Sequence, residues 1–301
     1  MIPRLAARLT TACSGRRFAP RLMPSVRPSL DQEHMPTFIG IDLAWQSDKN
    51  HSGGAVLEGD QSAVTLREVP SRLGTLADVE AFIDRNAGPD TIVAVDAPLV
   101  INNLDGQRAC ETEIGRRFGA ADASAHTSNL RLYPDAHSVQ FARNLENRGF
   151  LHCPRPHAPN LGGRWFFEVY PHPAHVVLFR RKRIIKYKKG PVASRRAGLT
   201  EFRQSLLEYL SVAQPSLTVN VALQSFLDQP LEAIRGAALK QYEDKLDAVF
   251  CAYLAAHFWA WSYNRNEMIG THEMGYIINP RLDVVAPNNA VQPTRACGPR
   301  G

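Results

Sequence analysis

The chain has 301 residues, 44% of them hydrophobic, 21% charged and 8% aromatic, which is ample apolar material for a packed core and excludes wholesale disorder. Its longest nearly apolar run, Ala248 to Trp261, is interrupted by His257 and is too short to span a bilayer, so no membrane partner is expected. The net charge of +6 belongs to the ends: residues 1–34 carry six arginines against Asp31 and Glu33, residues 286–301 add Arg295 and Arg300, and 35–285 is neutral.

Residues 1–34 are rich in Arg, Pro and Ser. They read either as a mitochondrial-type presequence or as a disordered extension ahead of a true start at Met35, and prolines at 3, 20, 24 and 28 favour the second. Thr37–Leu43 is a strong apolar strand. Gly54–Glu58 and Ala63–Glu68 are short strands joined by a Gly59-Asp60-Gln61 hairpin. Thr75 is a suitable N-cap for a helix over Leu76–Asn86, and Gly88-Pro89-Asp90 breaks the chain before the apolar strand Thr91–Val95. Helical or irregular stretches follow at Gln107–Phe118 and His137–Arg148, then a proline-rich loop at Cys153–Gly163. Trp165–Tyr170 is an aromatic strand, and Pro171 opens a short helix to Phe179. Two longer helices are expected at Ser194–Leu210 and Leu239–Tyr263, then a small strand at Gly275–Asn279 and a disordered tail from Ala286. Mixed strands and helices over about 250 residues suit one α/β domain with insertions.

Carboxylates within apolar runs stand out, because buried charge is costly unless paired or bound to a metal. Asp42 and Asp96 each close an apolar strand, and Glu168 lies between Phe167 and Val169. Asp247 continues a helical stripe with Phe250, Cys251, Leu254 and Phe258, and Asp244 extends that face by one turn. Each also has a plainer reading: a turn cap at Asp42, an Asx-turn acceptor at Asp96, a solvent-face glutamate at Glu168, a solvated helix end at Asp244. Together they form the set needed to gather oxygen ligands at one sheet edge, where hard cations such as Mg²⁺ or Mn²⁺ bind. Paired ions of this kind support phosphodiester cleavage.

The motifs Gly40-Ile41-Asp42-Leu43-Ala44-Trp45, Val95-Asp96-Ala97-Pro98-Leu99 and Arg108-x-Cys110-Glu111 resemble those of the DUF429 family, as do Glu168-Val169-Tyr170-Pro171, Tyr187-Lys188-x-Gly190 and Asp244-x-x-Asp247-Ala248. This is a family of expected ribonuclease H-like nucleases related to the RuvC-type resolvases. The resemblance covers roughly residues 36–282. It implies an α/β fold with a ribonuclease H-like central mixed sheet, flanking helices and helical insertions, within a domain over 35–285. It places Asp42 on the first strand, Asp96 on the fourth, and Asp244 with Asp247 on the C-terminal helix. It implies a two-metal carboxylate site holding Mg²⁺ or Mn²⁺, with Asp42, Asp96, Asp244 and Asp247 as ligands and Asp42, Asp96, Glu168 and Asp247 as catalytic residues. The products would carry a 3′-hydroxyl and a 5′-phosphate.

Arg180–Arg196 holds nine Lys and Arg, with no acid between Glu168 and Glu201. Such a patch suits a phosphate backbone, and Arg181, Lys182, Lys186 and Lys188, with Arg108, are the expected contacts to DNA or RNA. A solvated basic loop is the plainer reading. His172 and His175 have metal-compatible spacing but read as packing residues at a strand-to-helix corner, and Cys153 with His157 lacks a visible orienting group. Neither GxGxxG nor GxxxxGK[ST] occurs, which argues against dinucleotide and P-loop folds. Five scattered cysteines without a CxxC pair argue for a reducing, cytoplasmic setting. Two function classes follow: a metal-dependent nuclease, or a catalytically inert nucleic-acid-binding or regulatory protein on the same fold. An ATP-handling enzyme on the related actin-like fold is disfavoured by a single domain without paired phosphate loops.

Overall fold

A computed structural model describes residues 35–46, 50–152 and 159–282. The expected extension 1–34, the tail from 286 and the Cys153–His157 pair lie outside the described residues.

The described part begins with a three-stranded meander, β1 (Thr37–Asp42), β2 (Gly53–Gly59) and β3 (Ala63–Glu68), as the hairpin signal predicts. Asp60 closes the β2–β3 turn by accepting from the amides of Ser62 and Ala63. Helix α1 (Leu76–Asn86) starts at Thr75 with a reciprocal capping box: Thr75 Oγ1 accepts from Asp78 N, and Asp78 Oδ2 from Thr75 N. Strand β4 (Thr91–Asp96) then returns beside β1 and parallel to it.

Helices α2 (Ala109–Phe118) and α3 (His137–Asn147) follow, then β5 (Leu151–His152) and β6 (Arg164–Glu168). Next come α4 (Pro171–Leu178) and α5 (Val192–Ser205), whose last turn widens to a π turn at Leu206–Leu210. Short elements β7 (Ser216–Thr218) and α6 (Val221–Leu227) lead to the 26-residue helix α7 (Gly236–Trp261). The hairpin β8 (Asn266–Thr271) and β9 (Gly275–Pro280) ends the described part.

The central sheet has seven strands in the order β5-β6-β4-β1-β2-β3-β7, and among the described strands of that sheet only β2 runs against the rest. Helices cover both faces. The fold is thus mixed α/β with a central mixed sheet, consistent with the ribonuclease H-like class expected from the sequence. One face carries Phe38, Leu57, Ile92, Ala94, Trp165 and Phe167 and packs on α7. The other carries Ile39, Ile41, Val56, Val93, Val95 and Phe166 and packs on α1 and α3. Strand alternation sorts these two sets.

Helix α7 is not amphipathic. It is buried all round from Leu246 to Ala260, because α4, α5 and α6 close over the side away from the sheet. The apolar stripe read from the sequence therefore does not single out Asp247, since every face of this stretch is inside. On the sheet side the helix lies against backbone. A Cβ on Gly40 would fall 2.0 Å from Ala248 O and 2.1 Å from Ala252 N, and one on Gly53 would fall 2.0 Å from Asp244 O. Two glycines on neighbouring strands thus allow the close approach that sets Asp244 and Asp247 beside the ends of β1 and β4.

Candidate active site

Asp42 and Asp96 are register partners at the ends of parallel strands, and Gly53 is the partner of Asp42 on its other side. Gly40, two residues before Asp42, faces α7, so alternation turns Asp42 to the same side; Ala94 and Asp96 follow the same rule on β4. Asp42 and Asp96 keep part of their surface open, whereas Asp244 and Asp247 on α7 are buried. The first three of these, Asp42, Asp96 and Asp244, line one cleft of about 650 Å³, with Lys188 and Lys240 in its wall.

The four aspartates act on one another. Enclosure in the protein raises the Asp96 carboxyl well above its ordinary value, and Asp42 and Asp247 raise it further against the pull of Lys188. Burial lifts Asp244 to about 8, with Asp42 adding to the shift and Lys240 opposing it. Burial also lifts Asp247 to about 6, against Lys188. Burial works against the Lys188 ammonium too, but Asp247, Asp42 and Asp96 together hold it well above the usual lysine range. Four carboxylates thus face two ammonium groups.

The ligands of Asp247 come from the Tyr187-Lys188 pair. The Tyr187 phenol donates to Oδ1 at 2.6 Å, and Lys188 Nζ lies 3.1 Å from Oδ2. Lys240 is shared by Glu243 and Asp244 on its own helix, while Arg195 holds the other oxygen of Glu243 at 3.0 Å.

Glu168 lines the same cleft, together with Arg108 and Glu111, but comes to it from the other face of the sheet. Its register partner is Val95, so it leaves β6 on the opposite face from Asp96. There Arg108 binds it through both terminal nitrogens, at 2.9 and 2.7 Å, and Leu99 N donates at 2.9 Å. The same guanidinium donates from Nε to Glu111 at 2.8 Å, and Glu111 also accepts from the Ser128 amide and hydroxyl. Glu168 is 2% exposed, which overturns the solvent-face reading. Arg108, expected at a nucleic-acid surface, is 3% exposed and committed to two carboxylates, because a bare Glu168 or Glu111 at this depth would be far costlier than the lost surface contact.

The basic segment is also more occupied than its sequence suggests. Arg181 pairs with Glu201, and Lys186 and Arg183 both lie 3.2 Å from Asp122. These acids are distant in sequence, so the run looked uncompensated. Lys182 and Lys186 remain exposed, and Lys188 has turned into the cleft. His175 packs among Phe179, Phe202 and Phe250 with neither ring nitrogen hydrogen-bonded, which fits the packing role read for it.

Sequence reasoning assigned no role to Tyr187, Lys240 or Glu111. Lys240 was findable from its i,i+4 spacing to Asp244. Glu111 lies in the Arg108-x-Cys110-Glu111 motif, three residues after Arg108, but its role needed the fold.

Fold and cleft together define a mixed α/β protein with an aspartate-lined cleft at the ends of two adjacent parallel strands. The chain belongs to the DUF429 family, described as protein of unknown function: the family model matches residues 40–266. No curated protein and no solved structure matches it. No helix among the described residues is long and apolar enough to cross a membrane.

Proposed function

We propose that this protein is a metal-dependent nuclease of ribonuclease H-like descent, hydrolysing phosphodiester bonds in DNA or RNA at the aspartate cleft. The observation that carries this reading is the placing of Asp42 and Asp96 as register partners, with Asp244 beside them, in one open cleft where the Asp96 and Asp244 carboxyls are raised. Clustered acids of this kind are stable as anions only with added positive charge.

Among the described residues, no three His, Cys or acidic side chains stand close enough together to form a ready-made metal site. The donor chemistry nevertheless fits Mg²⁺ or Mn²⁺, which take hard oxygen ligands and often only one or two carboxylates, the rest being water and substrate phosphate. Asp42 and Asp96 would hold the ion, with Asp247 and Asp244 completing the set. Bound there, the metal would supply charge neutralisation and a lowered pKa for water.

The chain's own residues do the rest. Tyr187 keeps Asp247 in one orientation by donating to Oδ1. The Arg108–Glu168 pair anchors the loop after Asp96 through Leu99 N, so Glu168 serves as a positioning residue. Lys188 and Lys240 give a cleft that otherwise repels phosphate a positive wall. Lys182 and Lys186 lie exposed on the segment that leads to Lys188.

The test is cleavage of labelled single-stranded, duplex and hybrid nucleic acids with Mn²⁺, beside Mn²⁺ affinity by calorimetry. Wild type should cut at least one substrate, and Asp42→Asn and Asp96→Asn should lose both cleavage and metal binding. Wild-type metal affinity in both variants would sink the reading. One observation favours the inert-binder alternative: an ammonium already stands against Asp247. Nucleic-acid binding without metal affinity or cleavage would be its signature.

A further inference from the structure

Asp247 has no exposed surface, and neither of its oxygens faces water. Oδ1 is held by the Tyr187 phenol and Oδ2 faces the Lys188 ammonium, so two consecutive residues serve one carboxylate. Their ends differ in mobility. The Tyr187 ring is fully buried among Phe202, His172 and His175 and has no room to leave. Lys188 sits on a flexible four-carbon stem, its side chain is 29% exposed, and it lines the open cleft. The backbone beneath is fixed, since a Cβ on Gly198 would fall 2.2 Å from Lys186 O.

We propose that Lys188 is the internal counter-cation of the aspartate cluster: it competes with a divalent cation at Asp247 and is drawn off by an anionic phosphodiester, so that substrate and metal load together. This deepens the nuclease reading and rests on it for the identity of the anion. A cation approaching Asp247 meets Oδ1 taken by a fixed phenol and Oδ2 faced by a movable ammonium, so it must displace Lys188. The displaced ammonium stays in the cleft, where a phosphate oxygen is the partner that replaces the lost carboxylate. Each ligand removes an obstacle to the other, and by linkage the coupling is reciprocal. Tyr187 stays behind and keeps Asp247 aimed.

The experiment is calorimetric Mn²⁺ titration of wild type, Lys188→Met and Lys188→Arg, each with and without dimethyl phosphate as the phosphodiester probe. Lys188→Met should bind Mn²⁺ at least about tenfold more tightly than wild type, as expected for removing a unit charge a few ångströms away. Lys188→Arg, which keeps the charge, should stay at or below wild type. Dimethyl phosphate should tighten Mn²⁺ binding to wild type and leave Lys188→Met unchanged. Equal, weaker or absent Mn²⁺ binding in Lys188→Met overturns the proposal. So does a phosphate effect that survives in that variant. If Lys188→Met is too unstable without metal for calorimetry but still melts cooperatively, thermal melting reads the same quantity. A larger Mn²⁺-induced rise in Tm than in wild type supports the proposal, and an equal or smaller one defeats it. The two readings fail separately. Mn²⁺ binding by Lys188→Met alone would keep the internal counter-cation and remove metal use by the natural protein. Tight binding by wild type, unchanged in the variant, would do the reverse.

Discussion

Arg108 with Glu111 and Glu168, and Lys188 with Asp42, Asp96 and Asp247, both bury ions along the same edge of the sheet, but the two groups are finished differently. The guanidinium meets both oxygens of Glu168 and one of Glu111, and the remaining acceptor capacity goes to Leu99 N, Ser128 N and the Ser128 hydroxyl. That network is closed. Burial raises the Glu168 carboxyl as it raises those of Asp96, Asp244 and Asp247, so the difference lies in hydrogen bonds: the aspartate group has the Lys188 and Lys240 ammonium groups and the Tyr187 phenol, and Asp247 Oδ2 is left without a hydrogen bond. A network whose acceptors are all met holds structure together; one with acceptors left open has room for a ligand.

Arg108→Met should break the contrast most severely. Two carboxylates would be left buried without their cation, at a cost of about 3–5 kcal/mol in urea unfolding. A loss under about 1 kcal/mol would mean that the network is wet and not closed. Gly40→Ala comes next. The new methyl would stand 2.0 Å from Ala248 O, so α7 must lift and carry Asp244 and Asp247 with it. A loss of about 3 kcal/mol is expected from such overpacking, together with lost Mn²⁺ binding, and a thermal melt equal to wild type would refute the contact.

A smaller effect lies in the pH dependence of the metal-free protein. Asp244, at about 8 in the fold against 3.8 for the free side chain, binds more proton folded than unfolded across that interval. Its contribution is therefore lost as pH rises, on the order of 1–2 kcal/mol between pH 6.5 and 8.5. Burial depresses His152 and His257 to about 4 and His172 to about 3, which has the opposite sign: stability is lost as pH falls below 6.5. Asp96 and Asp247, also raised, have the sign of Asp244 and oppose the histidines on the acid side, so the maximum lies where the two sets balance. Asp244→Asn or added Mn²⁺ should flatten the alkaline limb, and an alkaline limb unchanged in Asp244→Asn would assign the slope to another group. The smallest effect belongs to the basic segment. Lys182→Ala and Lys186→Ala should each lower the log–log salt slope of duplex DNA binding by about 0.9, measured by fluorescence anisotropy. Unchanged slopes would give both lysines to solvent.

Much of this was legible in the chain. Apolar strands closed by an acid, at Asp42 and Asp96, are readable in the chain, and it is their number rather than either one alone that points past a turn cap or an Asx turn. The Thr75 cap, the Asp60 turn and Pro171 at a helix start are local chemistry and were found where expected. Strands β5, β7 and β8 and helix α6 escaped. The first two are short, at two and three residues, and draw their hydrogen bonds from distant strands. The pairing of Glu168 with Arg108 was hidden for one reason: 60 residues separate the partners, and a sequence shows the charge of each but not its pairing. The same blindness made the basic segment look bare, because Asp122, Glu201 and Asp247 answer it from elsewhere.

The contact between α7 and β1 has a consequence for the order of events during synthesis. Gly40 waits for Ala248 and Ala252, more than 200 residues later in the chain. Until Trp261 has left the ribosome, the sheet face bearing Phe38, Leu57, Ile92, Trp165 and Phe167 has no cover. A nascent chain in that state shows a broad oily surface to its neighbours and folds late, through long-range closure. The aspartate cluster is born with that closure, since two of its four members arrive on the closing helix. Every half-made copy therefore lacks the cluster, and the cell meets the completed cleft only on finished molecules.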